Sequence, residues 1–162
     1  MEAVDLSLTI PGDWFVNPKV LSEFYWKYKD HPIEEIRKVS FQQGLALGRS
    51  LKEQLGIKGD GIEGIAAVLK AVLKDEPTAK VMDVKEGRVL LRNSGFCPLM
   101  TACLSMNLPW TWLCSALGWP FFHGLGSAVN PKVNLAMIKR REKGDPYCDH
   151  IFEIGQGKLI IP

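Results

Sequence analysis

From Asn93 to Pro131 the chain carries no Asp, Glu, Lys or Arg, although charged residues make up 23% of the whole. A run of that length raises the question of a membrane span, which needs ~20 consecutive, predominantly apolar residues. Asn93, Ser94, Thr101, Ser105, Asn107, Thr111, Ser115, His123 and Ser127 interrupt it throughout, and Pro98, Pro109 and Pro120 punctuate it. No membrane span is expected. The run reads instead as short buried helices, each about a dozen residues or fewer.

Other absences narrow the field further. There is no Cys-x-x-Cys spacing, so a zinc-finger signature is excluded. There is no excess of one charge, since 20 Lys and Arg face 18 Asp and Glu for a net +2. A surface that tracks phosphates, and hence a nucleic-acid partner, is not indicated. The one tight basic cluster, Lys139-Arg140-Arg141, is followed at once by Glu142 and reads as a solvated strand end. The opening MEAVDLSLTIPGDW lacks the positive residues of a secretory leader, which predicts a cytoplasmic protein. No repeat and no Gly, Ser or Pro-rich linker divides the 162 residues, so a single domain over 1–162 is expected. A chain of this length buries a sizeable core without a disulfide or structural metal. The four cysteines are then reduced thiols, metal ligands or catalytic groups.

What is present has a clear order. Asn17-Pro18 opens a helix predicted over 18–28. Asp30, Pro32, Glu34 and Glu35 mark the start of a second over about 32–55, since carboxylates favour the positive end of a helix dipole. Within it Gly44 and Gly48 lie on one face, each at a cost of about 1 kcal/mol against Ala. A tight helix crossing and a ligand lying against bare backbone both explain such a pair. A third helix is predicted over 62–74, with Pro77 beyond it. The apolar period then falls to two, with strands at 81–84 and 88–92 around Lys85-Glu86-Gly87 and at 133–140 and 147–154 around Gly144-Asp145-Pro146. Helices first, then strand pairs flanking a helical centre, predict an α+β fold with an antiparallel sheet of about four strands and helices packed over it.

The cysteines are not equivalent in this scheme. Cys97 falls at the start of a helix opened by Pro98, where the dipole and free N–H groups favour a thiolate and predict a depressed pKa. Cys103 is turned away from Cys97 and reads as core. Cys114, in the helix after Pro109, points back toward Cys97 if the two helices fold over each other. On the last strand, alternation puts Cys148, His150 and Phe152 on one face and Asp149 on the other. Cys148 with His150 suits a divalent metal, a thiol with a nearby base, or simply a buried Cys beside an ordinary His. The exposed Trp119-Pro120-Phe121-Phe122 expected near one helix end makes a homodimer plausible.

The GLALG of the second helix, Cys97-Pro98, Cys114 and the closing Gly144-Asp145 with Cys148-Asp149-His150 together resemble the 2-aminothiazoline-4-carboxylate hydrolase-like family. That family is similar to the wider 4-vinyl reductase-like domains, related to heme-nitric-oxide-binding and vesicle-tethering ligand domains. The resemblance covers roughly 35–155. It implies helices over an antiparallel sheet, a buried small-molecule pocket, and a cysteine-lined metal site for which Cys97, Cys114, Cys148 and His150 are the matching positions. The chain departs from the pattern at Cys114, which Ser115-Ala116-Leu117 follows in place of acidic residues, and that puts a water-activating base in doubt.

Three functions remain open. One is a domain binding an apolar or heteroaromatic small molecule between Gly44 and Gly48 and the aromatic helices, with Trp112 and Phe122 as ligand contacts. Another is a hydrolase of a cyclic amidine or thiazoline-type ring, with Cys97 as nucleophile and His150 moving the proton. The third is a zinc- or heme-linked sensor that uses the thiols and His150 as ligands.

Overall fold

The computed structural model describes Ile10 and residues 17–161. The first helix, α1 (Pro18–Tyr28), begins where Asn17 accepts a hydrogen bond from the Lys19 N–H and Pro18 supplies a fixed φ. α2 (Ile33–Gln54) carries Glu34 and Glu35 in its first turn, and α3 (Ile62–Val72) presents Ile62, Ile65, Ala66, Val68 and Leu69 to the interior. A hairpin of β1 (Ala79–Lys85) and β2 (Arg88–Asn93) turns at Glu86 and Gly87, whose φ values of 33° and 77° fit the positive-φ turn that twisted strands need.

α4 (Pro98–Met106) starts at Cys97 and ends on Asn107 in the left-handed region, at φ 54°. The chain then forms α5 (Trp110–Leu113), a π-helical turn over Cys114–Gly118, and α6 (Trp119–Ser127). A break at Pro120 was expected, and here the structure differs. Gly118 and Trp119 keep helical backbone angles, so the helix runs on through the proline. The π turn makes this tolerable. Trp119 N–H reaches back five residues to the Cys114 carbonyl, and the next bond in that register would go from Pro120, which has no N–H, to Ser115. Arg37 of α2 supplies the missing donor, with its Nε 3.1 Å from the Ser115 carbonyl and a second nitrogen on the Ser115 hydroxyl. Ser40, one turn further along α2, donates to the Leu117 carbonyl at 2.6 Å.

The last strands are β3 (Val133–Lys139), β4 (Cys148–Ile154) and a short β5 (Leu159–Ile160). The sheet order is β1-β2-β4-β3-β5, antiparallel throughout except that β5 lies parallel to β3. The predicted α+β class is what the described residues form, with the fifth strand as the addition. No helix among them is long and apolar enough to cross a membrane.

The core joins one sheet face, Val89, Leu91, Val133, Leu135, Met137 and Phe152, to α3, α4 and the long α5–α6 helix. Trp119 and Phe121 lie within it at 3% and 7% exposure, so the surface expected to support a homodimer is interior. The Gly44 and Gly48 face meets α6. A Cβ on Gly44 would stand 2.0 Å from the Phe121 carbonyl oxygen, and one on Gly48 would stand 2.7 Å from the Ala128 Cβ. The expectation of a ligand on these glycines is thereby corrected, because helix backbone fills the space that a ligand would need.

Candidate functional site

Three elements bring thiols to one place. α4 contributes Cys97 as its N-cap, the π turn contributes Cys114 as its first residue, and β4 contributes Cys148 and His150 from its core-facing side. Between them lies a cavity of about 70 Å³, also walled by Trp110, Trp119, Phe122, Leu91, Leu99, Met137, Asn93 and Arg141. One water needs roughly 10–15 Å³ by the same measure, so the space suits a five-membered ring with one small substituent. It falls well short of the ~300–1,000 Å³ of larger ligand pockets.

The turn that delivers Cys97 is held from three directions. Asn93 accepts from the Gly95 N–H at 3.1 Å and donates to the Phe96 carbonyl at 3.1 Å, and Thr78 accepts from the Phe96 N–H at 3.1 Å. Arg141 completes the set by donating from Nη1 to the Gly95 carbonyl at 2.5 Å. The Arg141 backbone N–H also approaches the Cys148 sulfur at 3.3 Å.

Electrostatics at the thiols runs against the simple helix-dipole expectation. Burial raises the Cys97 pKa; backbone hydrogen bonds at Met100 and Leu99 and the Arg141 charge pull the other way without prevailing. The predicted depression is therefore corrected, since loss of hydration outweighs the helix terminus. Burial pushes the Cys114 thiol well up, and the neighbouring thiols add to it. Cys148 is raised by burial against the opposing backbone hydrogen bond of Arg141. Cys103, core as expected, is pushed up to about 12 by burial. His150 is lowered to about 4, chiefly by burial, against a backbone hydrogen bond with Leu91 and the Asp149 charge. Its Nδ1 is buried with no hydrogen-bond partner among the described residues, and its ring lies 5.4 Å from that of Phe122.

Of the residues singled out from sequence, Cys97, Cys114, Cys148, His150 and Phe122 meet at this cavity. Trp112 does not. It packs on α1, 5.3 Å from the Tyr25 ring and 6.5 Å from that of Phe24, so its place as a ligand contact is corrected. Asp149 faces away as alternation requires, and both its oxygens accept from Arg92, at 2.8 and 2.9 Å. Of the basic cluster only Lys139 is the exposed strand end that was expected. Arg140 is buried, 5.4 Å from the Trp119 ring centre and 3.2 Å from Glu142, while Arg141 enters the cavity wall.

The donor chemistry of three thiols and an imidazole suits zinc, yet no group of three or more His, Cys, Asp or Glu among the described residues is close enough to hold a metal ion. A heme does not fit a cavity of about 70 Å³. No protein-family model matches the chain, and no curated protein matches it.

Proposed function

We propose that this domain binds a small, mostly apolar or heteroaromatic molecule in the thiol-lined cavity. One observation carries the reading: Cys97, Cys114, Cys148 and His150 converge on an enclosed space whose other walls are Trp110, Trp119 and Phe122. Such a mix, apolar and aromatic surface with a few polar groups at one side, is the usual character of a small-ligand site. The 4-vinyl reductase-like resemblance supports the same reading, since the positions it matches are those that line the cavity. The test is thermal stabilisation by a panel of five-membered heteroaromatic compounds. Saturable rises in Tm that disappear in Phe122→Trp, where the larger ring fills the cavity, are expected. No rise across the panel would overturn the proposal.

A second reading is hydrolysis of a cyclic amidine or thiazoline-type ring, favoured by an imidazole that is neutral at pH 7 beside a buried thiol. In it the Cys97 sulfur adds to the amidine carbon as the thiol proton passes to His150, the bond from that carbon to a ring heteroatom breaks with His150 returning the proton to the departing atom, and water then adds to the carbon and expels the Cys97 thiol, leaving the ring-opened product. Turnover of 2-aminothiazoline-4-carboxylate that Cys97→Ala abolishes with the fold retained is the expected result. Turnover unchanged in that variant excludes the role of Cys97.

A further inference from the structure

Helices close only one face of the five-stranded sheet. Those that pack on it, α3 and α6, lie on the side of Val89, Leu91, Leu135 and Phe152. On the opposite face the pairing register lines up one apolar residue from every strand: Met82 beside Leu90, Leu90 beside Ile151, Ile151 beside Ala136, and Ala136 beside Ile160. Leu90 and Ile151, in the middle of this row, are shaded by their neighbours to 9% exposure yet stand outside the main core, and Ile160 at its end is 48% exposed. The charges that flank the row are sorted by strand. β2 carries Arg92 and Arg88 on either side of Leu90, and β4 carries Asp149 and Glu153 at the same two levels, because Arg92 is in register with Asp149 and Arg88 with Glu153.

We infer that a second copy of this chain covers this face, the two sheets stacking about a two-fold axis that runs parallel to the strands between β2 and β4. Rotation about that axis keeps each level along the strands and lays β2 on the β4 of the other copy. Leu90 then meets the partner's Ile151, Arg92 the partner's Asp149, and Arg88 the partner's Glu153, while Met82 of β1 meets the partner's Ala136. Such self-complementarity is what a closed two-fold contact requires. The other axis in the plane of the sheet, perpendicular to the strands, lays β2 on β2 and β4 on β4, so that Arg92 meets Arg88 and Asp149 meets Glu153. Like charges reject it. At the rim of the favoured arrangement Lys80 comes level with the partner's Lys139, and both are exposed, with stems long enough to turn the ammonium groups into water. Stacked sheets lie about 10 Å apart, a gap that facing Arg and Glu side chains span. A face about 24 Å across its strands and about 17 Å along them is at the small end of specific interfaces, so association in the micromolar range is expected. The thiol cavity lies on the other side of the sheet, and the inference does not depend on it.

Sedimentation velocity of the whole chain across the micromolar range is the first measurement, and a concentration-dependent equilibrium of monomer and dimer is expected. Arg88 and Glu153 are both exposed, so their charges can be changed with the fold retained, as the urea midpoint of each variant checks. Arg88→Glu sets glutamate against the partner's Glu153 at two places in the dimer, and Glu153→Arg sets arginine against arginine. Each variant alone should raise the dissociation constant at least tenfold. Mixed in equal amounts, the two should associate with each other, because in that pair every altered residue meets its opposite. Native mass spectrometry tells this heterodimer from either homodimer by its mass. The double variant R88E/E153R should dimerise like the wild type. Rescue on mixing requires position 88 of one copy to face position 153 of the other, and a cross-strand pair within one chain cannot supply it. A wild type that stays monomeric throughout the range overturns the inference. So does a dimer that neither single variant weakens, or a mixture of the two that fails to associate.

Discussion

Replacing Gly44 by Ala tests the feature that sets the position of the whole α5–α6 helix. The new methyl carbon would lie 2.0 Å from the Phe121 carbonyl oxygen and 2.9 Å from its carbon, where ordinary contact begins near 3.4 Å. The obstacle is backbone, so no side-chain rotation relieves it, and α6 has to withdraw by about 1.4 Å. Overpacking of this kind costs about 1–3 kcal/mol, and the retreat also loosens contacts on either side, at Gly48 against Leu125 and Ala128 and at Gly124 against Phe41 and Leu45. The better helix propensity of Ala returns about 1 kcal/mol. Because the obstacle is backbone, the cost lies at the upper end of that range and the balance is a net loss of about 2 kcal/mol, a large part of the ~5–15 kcal/mol that holds a typical domain together. Urea unfolding reads it as a midpoint lowered by about 1 M at unchanged slope. The control is Ala46→Gly, at an exposed position of the same helix, which should cost only the propensity term of about 1 kcal/mol. A Gly44→Ala protein as stable as the wild type, or more stable by the propensity term alone, would refute the close crossing and with it the account of what fixes the cavity wall.

Lowering the pH should weaken the fold through His150. Its pKa is about 4 in the native state against an ordinary 6.5, so below pH 6.5 the unfolded chain takes up a proton that the native one refuses. Stability is unaffected above pH 6.5 and falls as pH drops from 6.5 to 4, by roughly 3 kcal/mol at one unit per 1.36 kcal/mol. His150→Phe should flatten that part of the urea-derived stability profile, and an unchanged acid slope would count against the burial. Asp149→Ala should cost about 2–3 kcal/mol, because it strips both hydrogen bonds from Arg92. The same variant should leave alkylation of the cavity thiols unaltered, as Asp149 lies on the opposite sheet face. Phe122→Ala should change ligand affinity at least tenfold while Trp112→Phe leaves it the same, both measured by calorimetry; the reverse pattern would move the site toward α1.

The parts of this molecule that were legible in its sequence are those decided by local rules. Asn17-Pro18 and Cys97-Pro98 begin helices because proline at a first turn loses nothing, and Glu86-Gly87 turns a hairpin because its angles require it. Alternation along β4 placed Cys148 and His150 together and Asp149 behind them. What stayed hidden depends on partners far along the chain. Pro120 is a helix breaker until Arg37, 78 residues from Ser115, supplies the donor that proline lacks. β5 has two residues, too few for any period, and exists through its pairing with Leu135 and Ala136. Arg140 and Arg141 look solvated in sequence; Arg140 is buried against the Trp119 ring and Arg141 half-buried against the Gly95 turn, contacts that only the fold supplies.

Cys97 shows how two correct local arguments can yield opposite chemistry. The helix start is real, and the backbone hydrogen bonds at Leu99 and Met100 do favour a thiolate. A helix terminus contributes typically 0.3–1 kcal/mol to a charge at its end, whereas removing water from a small anion costs several kcal/mol unless other groups replace the hydration. The second effect wins, and Cys97, Cys114 and Cys148 all stand as neutral thiols at pH 7. Neutral thiols are soft, weakly polar wall groups before they are nucleophiles. That ordering is why binding ranks above hydrolysis here.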